Sequence, residues 1–145
     1  MRKPVVVDTN VLVAGLLSPF GPPGEIVRMI ASGVLCVCYD ARILTEYDEV
    51  LARPRFKLSH EHIQTLLEQI KAEGLSVAGH PLPVRLPDPT DEPFLETALA
   101  GKADCLITGN TKHFPFGKRQ GIVVLLPREF LERYRKRQRK GEDLT

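Results

Sequence analysis

Three acidic residues far apart in the chain carry the chemistry that this sequence offers. Asp8 closes the apolar run Val5-Val-Val7, and an aspartate directly after a buried strand is costly unless it turns outward or meets a cation. Its other available role is a helix N-cap, because helical sequence follows. Glu46 lies in Ala41–Ala52, a segment with Ile43, Leu44, Tyr47, Val50 and Leu51 on one helical face. At 100° per residue from Ile43 the apolar arc runs from Val50 at about −20° to Leu51 at about 80°. Glu46 at about −60° lies just off its edge, with Glu49 at about −120° and Asp48 at about 140° farther round. It is that helix's candidate for an acid at the margin of the core. Asp91, taken as the continuation of a helix starting at Glu92, lies about 60° round from Phe94, inside the arc set by Phe94, Leu95, Ala98 and Leu99. An acid there faces inward at a helix N-terminus, where an N-cap is again the alternative. Asp88 in Asp-Pro-Thr-Asp reads as a turn former. Like charges repel, so a cluster of Asp8, Glu46 and Asp91 makes sense around a divalent cation. Carboxylates alone suit Mg²⁺ or Mn²⁺ rather than zinc. Such ions activate water and stabilise phosphate during phosphodiester hydrolysis.

The elements that must position these residues alternate along the chain. Pro4–Val7, Val34–Cys38, Cys105–Thr108 and Ile122–Leu126 read as strands, and Leu75–Ala78 as a weak one. Helices are expected from Thr9 to about Leu17 and over 25–32, 41–52, 60–73, 92–100 and 127–137. The stretch 18–24, dense in helix breakers, reads as loop, and the proline-rich stretch 81–93 as a long connection. Strands alternating with helices predict an α/β fold, a three-layer α/β/α sandwich around a central, mainly parallel sheet of four to five strands. In open sheets of this kind ligands collect outside the carboxyl ends of the strands. Asp8 sits at one such end, and the polar pair closing Leu106-Ile-Thr-Gly-Asn110 at another.

At 145 residues the chain fits one domain, with 43% hydrophobic and 26% charged residues, an ordinary globular balance. No apolar run is long enough to span a membrane, and the N-terminal run is broken at once by Asp8 and Asn10, unlike a signal peptide. Three cysteines, none in a C-x-x-C, point to a reducing cytoplasm and away from a zinc site. Residues 133–145 hold six basic and two acidic residues, a local +4, which leaves 14 basic and 16 acidic over 1–132. The division is a domain over 1–132 and a basic C-terminal tail over 133–145. The tail (Arg133, Arg135, Lys136, Arg137, Arg139, Lys140) is either a nucleic-acid contact or a solvated end.

At this point the blocks Val7-Asp8-Thr-Asn-Val-Leu-Val13, Glu46, Asp88-Pro-Thr-Asp-Glu-Pro-Phe-Leu95 and Ala103-Asp-Cys-Leu-Ile-Thr-Gly-Asn-Thr-Lys-His-Phe114 resemble PIN domains. The order and spacing are most similar to the VapC-like toxin components of bacterial toxin–antitoxin pairs, and the likeness runs from Val5 to about Leu126. The resemblance implies a metal-dependent endoribonuclease that cuts RNA and leaves 5′-phosphate and 3′-hydroxyl ends. It implies Asp8 and Asp91 as ligands of one Mg²⁺ or Mn²⁺, with Glu46 contacting it directly or through water. The fourth acidic position of the family is Asn110 here, which can orient a metal-bound water but adds no charge, and so weakens a second metal site. Thr9, Asn10 and Thr108 match polar positions lining the family's site. Lys112 is a candidate phosphate contact, as is Arg42. Asp104, at the far end of its strand, is set aside. A protein antitoxin covering the acidic site and a homodimer come from the resemblance alone.

His113 reads first as a polar loop residue, and His60 and His62 as solvated. Two other readings compete. A haloacid-dehalogenase-type phosphatase needs an acid two residues after its nucleophile, where this chain has Asn10. A degenerate module that binds RNA or protein without cutting is the non-enzymatic alternative, hinted at by Asn110. Neither the P-loop nor the dinucleotide-binding glycine pattern occurs.

Overall fold

The computed structural model describes residues 3–141. Five strands, β1 (Pro4–Val7), β2 (Cys36–Tyr39), β3 (Leu75–Ser76), β4 (Cys105–Ile107) and β5 (Val124–Leu125), form one sheet in the order β3-β2-β1-β4-β5, with every pairing parallel. Around it pack α1 (Thr9–Leu17), α2 (Pro22–Ala31), α3 (Ala41–Leu51), α4 (His60–Glu73), α5 (Glu92–Ala100) and α6 (Pro127–Arg139). This is the expected α/β sandwich. The central strands are apolar along their length because both faces are covered: Val5, Val6, Val7, Cys105, Leu106 and Ile107 are all fully buried.

The chain changes direction between β1 and β4, the two central strands, where a sheet of this topology opens a crevice at its carboxyl edge. The register pairs Val7 with Ile107, so Asp8 and Thr108 emerge side by side. The Asp8 amide bonds the Ile107 carbonyl at 2.9 Å and the Thr108 amide the Leu125 carbonyl at 3.0 Å.

One boundary differs from expectation in an instructive way. The stretch 18–24 is loop only as far as Gly21, and α2 begins at Pro22-Pro23. Proline lacks only an amide that the first helical turn leaves unused, so it starts a helix as readily as it breaks one. The α1–α2 hairpin is tight: a Cβ on Gly15 or Gly24 would fall 2.5 Å or less from a backbone oxygen of Pro23 or Pro19. β2 starts at Cys36, two residues later than the apolar pattern suggests, because the Val34 and Leu35 amides are spent closing the end of α2 on the Met29 carbonyl.

The proline-rich connection before α5 is held to the body at two points. The Leu82 and Leu86 amides donate to Glu96 and Glu92 of α5, and both leucine side chains are buried. The basic run from Arg133 falls largely within α6, while residues 142–145 of the expected tail lie outside the described residues. Arg133 and Arg137 reach Asp104 at 3.5 and 3.0 Å, and Arg135 reaches Glu25. None of the three cysteines forms a disulfide. Among the described residues no helix is long and apolar enough to cross a membrane.

Candidate functional site

Each of the three acids reaches the sheet's carboxyl edge by a different local route. Asp8 is the residue after β1, 7% exposed, and Thr108 Oγ1 donates to its Oδ2 at 2.8 Å. It occupies the N-cap position of α1 and makes no side-chain capping bond there. Asp91 ends a 3₁₀ turn, Pro89–Asp91, that runs into α5, and it also makes no capping bond. Asp88 opens that turn and accepts from both the amide and the hydroxyl of Thr90. It is the turn former, exposed and locally satisfied.

Glu46 is half-buried on α3, and the Thr9 hydroxyl donates to its Oε2. The neighbouring Tyr47 is fully buried, and its phenol donates to the Val7 carbonyl at 2.5 Å. That bond ties α3 to the end of β1, so the residue before it projects beside Asp8. Burial pushes the Tyr47 phenol well above its ordinary value, and the nearby charges of Asp8 and Glu46 add to the rise.

The carboxylates sense one another. Burial raises the Asp8 carboxyl, although the Thr108 hydrogen bond, the His113 ring and the Thr9 and Asn10 amides favour its charged form. Asp91 is pushed up to about 6, first by burial and then by the charge of Asp8, with smaller contributions from Asp88 and Glu46 and an opposing one from His113. His113 Nδ1 stands 3.3 Å from Asp91 Oδ2, yet its N–H is not aligned for a hydrogen bond. Asp91 Oδ2 is therefore buried with no hydrogen-bond partner.

A buried carboxylate oxygen without a donor is an acceptor held ready for something. Oxygen-only donors suit a hard divalent cation. Among the described residues no three His, Cys, Asp or Glu side chains are gathered closely enough to enclose an ion. Mg²⁺ is commonly held by only one or two carboxylates and keeps several waters. Asp8 and Asp91 fit that open mode.

The other sequence candidates divide. Thr108 and Thr9 are buried and bonded to the acids. Asn10, Asn110 and Lys112 are exposed. The Asn110 side chain accepts from the Lys112 amide at 3.1 Å and caps the 3₁₀ turn Thr111–His113. Arg42 is committed elsewhere, bonding Asp40 and Glu96, and is not placed as a phosphate contact. The residue that sequence reasoning undervalued is His113. An Asn-capped turn directly after a strand folds the third residue back over the strand's end, and that pattern could have found it.

A search of curated proteins finds no match to this chain. The family model described as PIN domain matches residues 4–112, a span containing every acid of the cluster and Asn110. PIN domains are in general metal-dependent nucleases, in keeping with carboxylates converging at the carboxyl edge of a parallel sheet. The chain belongs to the PIN domain family.

Proposed function

We propose that the chain is an endoribonuclease dependent on Mg²⁺ or Mn²⁺, acting in the cytoplasm as the toxin of a toxin–antitoxin pair. The observation that carries the nuclease reading is Asp91 Oδ2, buried and without a donor beside a second buried acid, Asp8. The toxin role, its protein antitoxin and a homodimeric state rest on the sequence resemblance.

In this reading Asp8 and Asp91 hold the ion, and Glu46 contacts it directly or through water. The bound ion supplies Lewis-acid stabilisation of the phosphate and lowers the pKa of water. The chain's own contribution is placement. Thr108 fixes the rotamer of Asp8 through its hydroxyl, and Thr9 does the same for Glu46. Tyr47 anchors α3 under the site. Exposed Asn10, Asn110 and Lys112 rim the edge where an RNA backbone would lie, Lys112 as a cation for phosphate.

The test is cleavage of a mixed RNA panel by the purified protein with Mn²⁺, with Mg²⁺ and with EDTA, alongside Asp8→Asn. Metal-dependent cutting that falls by about 10²-fold or more in the variant is expected. Undiminished turnover of Asp8→Asn in Mn²⁺ would remove Asp8 from the site. A folded wild-type protein that cuts none of the RNA under any condition would instead support a non-cutting RNA- or protein-binding module.

A further inference from the structure

Beside the carboxylate edge lies an open groove of about 290 Å³ lined by Pro22, Pro23, Gly109, Leu126, Pro127 and Arg128. We propose that this groove is a nucleotide subsite, in which one base of single-stranded RNA next to the cut phosphate packs on the proline and leucine surface while Arg128 takes a backbone phosphate. The proposal rests on the nuclease reading above and specifies where that substrate lies.

Four observations converge on it. The groove adjoins the acids directly: Gly109 follows Thr108, whose hydroxyl holds Asp8 at 2.8 Å. Its walls are the opening turns of α2 and α6, both beginning with proline; Pro127 is buried, and the accessible apolar surface comes from Pro22, Pro23 and half-buried Leu126. Flat apolar surface with little hydrogen-bonding capacity binds bases through their faces, as single-strand binding platforms do.

The charge at its rim is uncommitted. Among the described residues Arg128 makes no ion pair or side-chain hydrogen bond, whereas Arg133, Arg135 and Arg137 on the same helix all face carboxylates. A free guanidinium at the end of an apolar groove complements a phosphate following a base. Finally, Phe20 is 98% exposed two residues ahead of Pro22. An aromatic ring left in water two residues from the groove's wall is suited to stack the next base.

Gly109 makes the groove testable without disturbing the fold. Gly109 lines the groove and a Cβ built there meets nothing within 4 Å, so Gly109→Leu adds bulk to the groove's lining without a clash at Cβ. Binding of a fluorescent eight-residue oligouridylate is read by anisotropy in EDTA, and KM and kcat by cleavage of the same RNA with Mn²⁺. Gly109→Leu is expected to raise Kd and KM about tenfold, and Arg128→Gln and Phe20→Ala each about three- to tenfold. Little change in Tm is expected in any of them. Arg139→Gln, which removes the same charge farther along α6, keeps wild-type affinity. Wild-type Kd and KM for Gly109→Leu, in a preparation whose wild type cuts RNA, overturn the subsite and leave the nuclease reading standing. A Gly109→Leu protein that keeps its RNA affinity but changes oligomeric mass marks the groove as a contact between copies, which also overturns the subsite. A wild type that neither binds nor cuts RNA overturns both readings.

Discussion

At the amino edge of the sheet, the Asp104 side chain is 8% exposed and meets Arg137 at 3.0 Å, Arg133 at 3.5 Å and Lys3 at 4.0 Å. At the carboxyl edge the Asp91 side chain is 11% exposed and, among the described residues, pairs with a half-exposed histidine alone, at 3.3 Å and out of hydrogen-bond alignment. Asp8 beside it has a threonine hydroxyl. Another acidic pair, Asp40 and Glu96, behaves like Asp104: both are buried, and Arg42 bridges them at 2.7 and 2.8 Å. Similar burial thus meets opposite treatment. Where the fold needs an acid for structure, it supplies guanidinium groups. Among the described residues the acids at the crevice meet none, an arrangement that fits the proposed cation, which would relieve their repulsion. Stability is forgone at sites of that kind in exchange for function.

The sharpest way to break this contrast is Asp91→Asn. Nuclease activity is expected to fall by about 10²-fold or more in Mn²⁺, while the metal-free Tm rises by a few degrees because a destabilising charge is gone. The folded-state pKa of Asp91, about 6, lies above its ordinary value of 3.8. The folded chain therefore holds that proton more tightly than the unfolded chain. The stability it contributes is full below the ordinary value and is lost as pH rises through about 6. Metal-free wild type should accordingly lose Tm between pH 5 and pH 7 more steeply than Asp91→Asn, read by thermal melts. A lower Tm for the variant at pH 7 would show that Asp91 is structural, like Asp104.

Metal itself should erase the difference between the two edges. A ligand that binds only the folded state at 100 times its Kd adds about 2.7 kcal/mol, so Mn²⁺ should raise the wild-type Tm measurably. The rise should be larger at pH 7 than at pH 5, where protonated Asp91 competes with the ion. Asp8→Asn should lose most of it. Equal Mn²⁺ shifts in wild type and variant would place the ion elsewhere.

Asp104→Asn should act in the opposite sense to Asp91→Asn. It strips charge from the centre of the Lys3, Arg133 and Arg137 group, in which the two arginines are 30% and 23% exposed. The expected cost is about 1–2 kcal/mol, a Tm lower by ~3–6 °C, with kcat unchanged. Reduced turnover in a fully folded variant would couple the two edges.

The placement of the acids at the carboxyl edge was more legible in the sequence than that of the structural acids. Asp8 followed from a strand ending in a charge, and Asp91 from a helical angle that turned an acid inward. Glu46 followed from a place just outside an apolar arc, and the helices over 60–73 and 92–100 from hydrophobic period alone. Glu96 shows the limit. It stands opposite Phe94 on α5, which predicts exposure, yet it is buried because the proline-rich segment folds over that face and Leu82 donates its amide there. Asp104 likewise finds partners 29 and 33 residues away. A charge run reads as a solvated tail until the fold brings an acid to it. Periodicity reports which face an element buries against the core, but not what a distant irregular segment lays over the other face.

Asn110 offers the finest test of the difference between the two edges, because it sets a neutral amide at the crevice where the sequence resemblance leads one to expect an acid. Its side-chain oxygen accepts from the Lys112 amide and caps the following turn, and an aspartate oxygen caps a turn of this kind equally well. Asn110→Asp should therefore leave the turn intact and add one negative charge at the exposed rim. If the carboxyl edge is a cation site short of charge, Mn²⁺ affinity should rise about two- to fivefold, read by calorimetry, and metal-free Tm should fall slightly. If the added charge leaves metal affinity unchanged, Asn110 lies outside the reach of the ion. Its place in the site would then be confined to orienting substrate or to holding His113 over Asp91.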